Sequence, residues 1–158
     1  MRYSILPTPI GELQLTADDD GALTAVSLPG RHPDPGPWER DDAHLAAARG
    51  QLTEYFAGER TAFELPLRPA GGPFQLRVWE ALQAIPYGET TSYGALARAL
   101  GAPGAARAVG AANGANPIAI VVPCHRVIGA SGALTGYAGG LACKRALLDL
   151  EVGRAALV

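Results

Sequence analysis

Short apolar runs alternate with turn signals over the first third of the chain. Residues 2–6, 12–16 and 23–28 alternate roughly between apolar and polar positions, the period of half-buried strands. Pro7-Thr8-Pro9-Ile10-Gly11 and Asp18-Asp19-Asp20-Gly21 separate them, which predicts an antiparallel meander. Residues 29–42 are Pro-rich and charged and read as a surface loop with no packed element. Over residues 43–56 the apolar positions Leu45, Leu52, Tyr55 and Phe56 share one face of a helix that ends at Gly58.

Residues 66–73, with Gly71-Gly72, read as an interdomain linker. Beyond it the period becomes helical. Phe74, Val78 and Leu82, with Trp79 beside them, predict a helix over 74–84 stopped by Pro86-Tyr87-Gly88. Thr91 or Ser92 can cap a second helix over 93–100, closed by Gly101. Pro103 suits the first turn of a third, running to about Asn113. Two short helices across a Gly-containing turn form a helix-turn-helix pattern, which an ordinary helical hairpin shares. The apolar run 118–122 reads as a strand, followed by a Gly-rich loop over 129–140 and a last helix over 141–151.

The chemistry-bearing feature is Cys124, which ends the apolar run and precedes His125 and Arg126. A thiol is a strong nucleophile only as thiolate, and a neighbouring imidazole or guanidinium lowers its pKa. Adjacent side chains in a strand point opposite ways, so the pair works together only if the chain turns at Cys124. Alone, such a dipeptide reads as a buried apolar cysteine beside a satisfied histidine. Cys143, on a predicted helix beside Lys144, has no histidine neighbour and reads as a packing residue.

Composition narrows the setting. A chain of 158 residues with 48% hydrophobic and 18% charged residues buries a core and is not disordered. No run reaches the roughly 18 apolar residues of a membrane span, and no leader pattern opens the chain. Two cysteines build neither a disulfide framework nor a four-cysteine zinc site, and point to a reducing cytoplasm. The net charge of −2 argues against a nucleic-acid partner until it is divided. Residues 1–70 carry 11 acidic and 6 basic side chains, a net of −5, whereas residues 71–158 carry 4 and 7, a net of +3. A phosphate-binding half joined to an acidic half fits those numbers.

The stretch Asn116-Pro117-Ile118-Ala119-Ile120-Val121-Val122-Pro123-Cys124-His125-Arg126-Val127-Ile128-Gly129 resembles the active-site signature of the DNA alkyltransferases, the methylated-DNA–protein-cysteine methyltransferases that repair 6-O-alkylguanine. Residues 85–93, 105–110, 136–140 and 147–151 agree in order and spacing, so the likeness covers residues 74–151. It implies an α+β fold: an N-terminal domain over 1–70 (small antiparallel sheet with a helix, ribonuclease H-like) and a C-terminal domain over 71–158. The second is helical, winged helix-turn-helix-like, and carries the active site.

By the same resemblance Cys124 accepts the alkyl group irreversibly, once per molecule, from 6-O-alkylguanine, with 4-O-alkylthymine an open second substrate. Glu151, His125 and a water relay the thiol proton, and Asn116 bridges the recognition helix and the active-site loop. Tyr93 contacts DNA, donates to the flipped guanine ring and protonates it on leaving. Tyr137 covers the pocket, and main-chain groups of Cys124, Val127 and Ala138 read the base edge. Arg107 fills the space the flipped base vacates, and Ala106 and Ala108 keep that helix smooth for the minor groove. Some members have a hydroxyl at the position of Ala138 and a basic residue at that of Gly114. The expectation is no cofactor and no metal, because residues 1–70 hold no Cys and only His32 and His44. The partner is double-stranded DNA carrying alkylated guanine, with no membrane, for a protein monomeric in solution whose clustering on DNA is open. Two rivals stand beside this reading: a non-catalytic lesion-recognition or regulatory DNA-binding module, and a Cys-His hydrolase.

Overall fold

The computed structural model describes residues 1–153; residues 154–158 of the expected C-terminal domain lie outside the described residues. The predicted meander forms as β1 (Arg2–Thr8), β2 (Gly11–Ala17) and β3 (Leu23–Ser27), paired antiparallel in sequence order. The loop expected over 29–42 carries one short, exposed strand. β4 (Glu39–Arg40) pairs parallel with β1 at Arg2 and Tyr3, so the sheet is mixed, with order β3-β2-β1-β4. Arg2 explains why so polar a pair joins a sheet: its guanidinium donates to Asp41 at 2.6 Å and lies 3.7 Å from Glu39.

Helix α1 (Ala46–Phe56) begins three residues later than the periodicity predicts, with Leu45 at its N-cap. It buries Ala48, Leu52, Tyr55 and Phe56, the face that the spacing marked apart from Ala48. α2 (Pro73–Gln83) starts with Pro at its first position, where no N–H is needed. Gln75 Oε1 accepts the Gly72 N–H at 2.9 Å and closes that end.

Residues 66–73 connect the halves but are not a loose tether. Leu23 N–H donates to Pro66 O at 2.8 Å and Arg68 N–H to Leu23 O at 2.9 Å, which ties this stretch to β3. Gly71 lies against Trp79 so closely that a Cβ would meet the indole at 2.5 Å. One continuous apolar cluster then runs from the sheet through α1 and α2 to the last helix.

β5 (Thr91–Ser92) leads into α3 (Tyr93–Ala99), and of the two candidate caps Ser92 is the one used, accepting from Ala95 N–H at 3.1 Å. Gly101 (φ 73°) turns the chain after it, a conformation costly for residues with a Cβ. α4 (Ala106–Gly114) starts later than Pro103 suggested, because residues 102–105 form a separate turn, Ala105 N–H to Ala102 O at 2.9 Å. α2 supports α4 through the buried bond from Trp79 Nε1 to Ala112 O, 2.8 Å.

The apolar run 118–122 is not a strand. Only Ile118 pairs outward, with Val26 of β3. Ile120 takes φ 72° and reverses the chain, while Val122 N–H reaches back to Ile118 O at 2.9 Å. The Asn116 amide fastens both ends of this loop, donating to Val122 O at 2.8 Å and accepting from Ile118 N–H at 3.0 Å. Its bonds replace a sheet ladder, which a periodicity argument cannot foresee. A 3₁₀ turn (Cys124–Arg126), β6 (Val127–Ile128), the Gly-rich loop and α5 (Leu141–Glu151) complete the fold, β6 pairing parallel with β5.

Candidate active site

Cys124 opens the 3₁₀ turn, so the chain does turn where the Cys-His pair requires it. The thiol is 6% exposed and lines a cavity of about 190 Å³. Asn113, Asn116, Tyr137 and Ala138 line the same cavity, and the N-terminal half closes one side with Val26, Leu28 and Arg31. Arg31 Nε donates to Ala138 O at 2.8 Å and so anchors the Gly-rich loop.

His125 is fully buried, and its Nε2 lies 2.6 Å from Glu151 Oε2. An ionised carboxylate only accepts, so Nε2 carries the proton and Nδ1 presents a lone pair. Nδ1 is buried with no protein partner among the described residues, as are Asn113 Oδ1 and Tyr137 Oη. Glu151 is satisfied on both oxygens: Arg126 Nε donates to Oε1 at 2.7 Å and Arg126 Nη2 to Oε2 at 3.0 Å. Tyr55 Oη adds a third bond to Oε2 at 2.6 Å.

These contacts set the protonation states. Burial pushes the Glu151 carboxyl up, but the bonds from His125, Arg126 and Tyr55 outweigh it and hold the pKa to about 2. Burial lowers the His125 pKa, opposed by Glu151, so the imidazole is neutral at rest. Burial raises the Cys124 thiol, opposed by Asn116, Tyr137 and the Lys144 charge. The resting pair is therefore thiol and imidazole. Arg126 does not activate the sulfur as its adjacency suggested: its guanidinium is spent on Glu151 and on Ile85 O, 2.7 Å.

Several expected site residues come together here. Cys124, Asn116, Tyr137 and Ala138 share the cavity, with His125 and Glu151 behind the turn. Tyr93 and Val127 do not line it. Tyr93 Oη instead bonds Thr135 Oγ1 at 2.7 Å, and its ring packs 3.7 Å from where a Gly110 Cβ would stand. Val127 O accepts from Lys144 Nζ at 2.7 Å, and Cys124 O accepts both Asn113 Nδ2 at 3.3 Å and the Val127 N–H that closes the turn. On α4, Arg107 and Ala108 are exposed and Ala106 half-buried, while Asn113 and Gly114 at its far end reach the cavity.

Sequence reasoning passed over Tyr55, Asn113, Arg126 as the carboxylate's partner, and Lys144. Tyr55 reads as one more apolar position on α1, 96 residues from Glu151, and no local signal joins them. Lys144 had a usable signal: it is the only lysine in the chain. It is fully buried, with two carbonyl acceptors, Val127 O and Thr135 O at 3.2 Å.

Residues 73–153 match the family model described as 6-O-methylguanine DNA methyltransferase, DNA binding domain, and residues 1–69 match its ribonuclease-like domain. The methylated-DNA–protein-cysteine methyltransferase of Mycobacterium bovis is 54% identical over 157 residues, spanning 98% of this chain and 94% of the relative. The protein of that name from Methanosarcina acetivorans is 49% identical over 153 residues, 96% of this chain and 98% of its own. The crystal structure of Mycobacterium tuberculosis OGT in complex with DNA matches at a TM-score of 0.92 with 54% identity, covering 98% of this chain and 95% of that one. From the sequence, the site and these likenesses together, the chain belongs to the 6-O-methylguanine DNA methyltransferase family.

Proposed function

We propose that this protein repairs DNA by direct reversal, moving the alkyl group of 6-O-alkylguanine in duplex DNA onto its own Cys124. The observation that carries the reading is a buried thiol opening on a cavity, next in chain to an imidazole whose second nitrogen is held by Glu151. His125 Nδ1 takes the thiol proton through a water, and Glu151 stabilises the imidazolium that forms. The sulfur forms a bond to the alkyl carbon as the carbon–oxygen bond breaks, and the leaving guanine receives its proton from Tyr93. The thioether is not hydrolysed, so each molecule acts once.

A base inside a duplex must leave the stack to reach a buried sulfur. Arg107, exposed on α4 between small residues, suits insertion into the vacated space from the minor groove. Releasing Tyr93 from Thr135 would free its hydroxyl for the flipped base. Tyr137 and the main-chain groups of Cys124, Val127 and Ala138 complete the pocket, and residues 1–70 and 71–158 act as two domains around it.

The test is a duplex oligonucleotide carrying one 6-O-methylguanine, mixed with protein and followed by the mass of the Cys124 peptide. The expected result is one methyl group per protein on Cys124, with none on Cys124→Ser, which still binds DNA. Binding without an adduct would favour a recognition module, and repeated turnover a hydrolase.

A further inference from the structure

The carboxylate behind His125 has a partner that the reaction above does not use. Tyr55 lies on α1 in the N-terminal half, is fully buried, and donates to the same Glu151 oxygen that accepts from His125. Its ring is fixed by three aromatic neighbours: Phe56 edge-on at 5.2 Å, Phe63 at 5.6 Å and Tyr87 edge-on at 6.3 Å. We propose that Tyr55 is a positioning residue for alkyl transfer, through which the N-terminal half sets the orientation and basicity of the Glu151–His125 pair. The proposal rests on the relay described under Proposed function.

Three donors on one oxygen share one store of negative charge. Tyr55 is a permanent neutral donor, because burial and the Glu151 charge push its hydroxyl well above the usual tyrosine range. Each bond it makes to Oε2 leaves less charge for the imidazole, so His125 stays neutral at rest and is not over-stabilised as imidazolium. The other groups facing the pair are Arg126 from the 3₁₀ turn, Lys144 from α5, Tyr87 from the segment after α2 and Tyr137 from the Gly-rich loop. Arg126 and Lys144 are cations that oppose a proton on His125. Tyr87 stacks on Arg126, whose guanidinium carbon is 5.7 Å from the ring centroid. Tyr55 is the group that ties the pair to α1. Without its hydroxyl, Oε2 is held from one side fewer and its charge falls more heavily on His125.

The experiment is the single-turnover rate of methyl transfer from a 6-O-methylguanine duplex across pH, for the full chain and Tyr55→Phe, with DNA affinity and melting measured alongside. Expected is a roughly 10- to 100-fold slower plateau rate, the order of one hydrogen bond to a charged group, with affinity for unmodified DNA unchanged. The acid limb moves up by about half a pH unit, since the imidazole gains proton affinity. A parental rate and limb overturn the proposal, even if melting falls, because a merely structural tyrosine would change stability alone. If Tyr55→Phe does not fold, 3-fluorotyrosine at position 55, a stronger donor, moves the limb the opposite way; an unmoved limb overturns the proposal. Glu151→Gln in parallel separates two failures. If it slows transfer and Tyr55→Phe does not, only the role of Tyr55 falls; if neither slows it, the relay itself is wrong.

Discussion

Asn113, on the helix that presents Arg107, donates to the carbonyl oxygen of Cys124 at 3.3 Å. The surface proposed to enter DNA and the turn that holds the thiol are thus joined by a side chain 4% exposed. Asn113→Leu removes that donor and leaves the Cys124 carbonyl held by the Val127 N–H alone, a loss of about 0.5–1.5 kcal/mol, the net worth of one hydrogen bond. Expected are a lower melting temperature and transfer slowed about tenfold, the order of 1.4 kcal/mol in the barrier, with DNA affinity within about twofold. Parallel melting, binding and single-turnover assays check all three.

Acid should unfold the protein through this same site. Glu151 has a folded pKa of about 2, below its unfolded value. Its contribution is complete above the ordinary glutamate range and is lost as pH falls from there towards 2. His125 is also lowered, by burial, so the unfolded chain takes up its proton first and stability begins to decline below about pH 6.5. Melting temperature should fall steadily from pH 7 to pH 4. In His125→Gln the upper part of that decline should flatten; an unchanged slope between pH 7 and 5 would count against a buried neutral histidine.

Arg107 offers the reverse case, a residue whose removal should leave the fold alone. It is exposed on α4, and exposed substitutions usually change stability by less than about 0.5 kcal/mol. Arg107→Ala should melt as the parent does yet slow transfer from duplex DNA strongly, by a factor on the order of 10–100 if stabilisation of the unstacked base of a few kcal/mol is lost. The rate with free benzylguanine, which needs no flipping, should be unaffected. Equal losses on both substrates would remove Arg107 from the flipping step.

Ile120 is strained, a β-branched residue at φ 72°. Glycine there relieves roughly 1–2 kcal/mol of backbone strain but removes a side chain 1% exposed, which costs about 2–5 kcal/mol. Burial wins, so Ile120→Gly should be less stable in urea unfolding despite its easier backbone.

The helices and the meander were legible because burial imposes a period on the residues that form them; Leu52, Tyr55, Val78 and Leu82 follow it. The Cys124–His125 turn was legible as a chemical requirement. What stayed hidden depends on side chains that act across the fold. Asn116 folds an apolar run into a loop by bonding its main chain, and hydrophobicity says nothing of it. Arg126 looked like the activator of its neighbour Cys124, yet the turn aims it at Glu151, 25 residues away. The resemblance supplied Glu151 and His125, but not the tyrosine that the other half of the chain adds to them.

Strand β3 has β2 on one flank only. On the other it receives Leu67 and Ile118, with Val26 N–H donating to Pro117 O at 2.9 Å. The segment that leads to the reactive cysteine thereby caps an open sheet edge. An N-terminal half made alone would keep Leu67 against Leu23 but expose the edge at Val26, with its free main-chain groups, and unprotected edges of this kind recruit further strands. The DNA-repair half thus acts as the built-in guard against self-association of its neighbour.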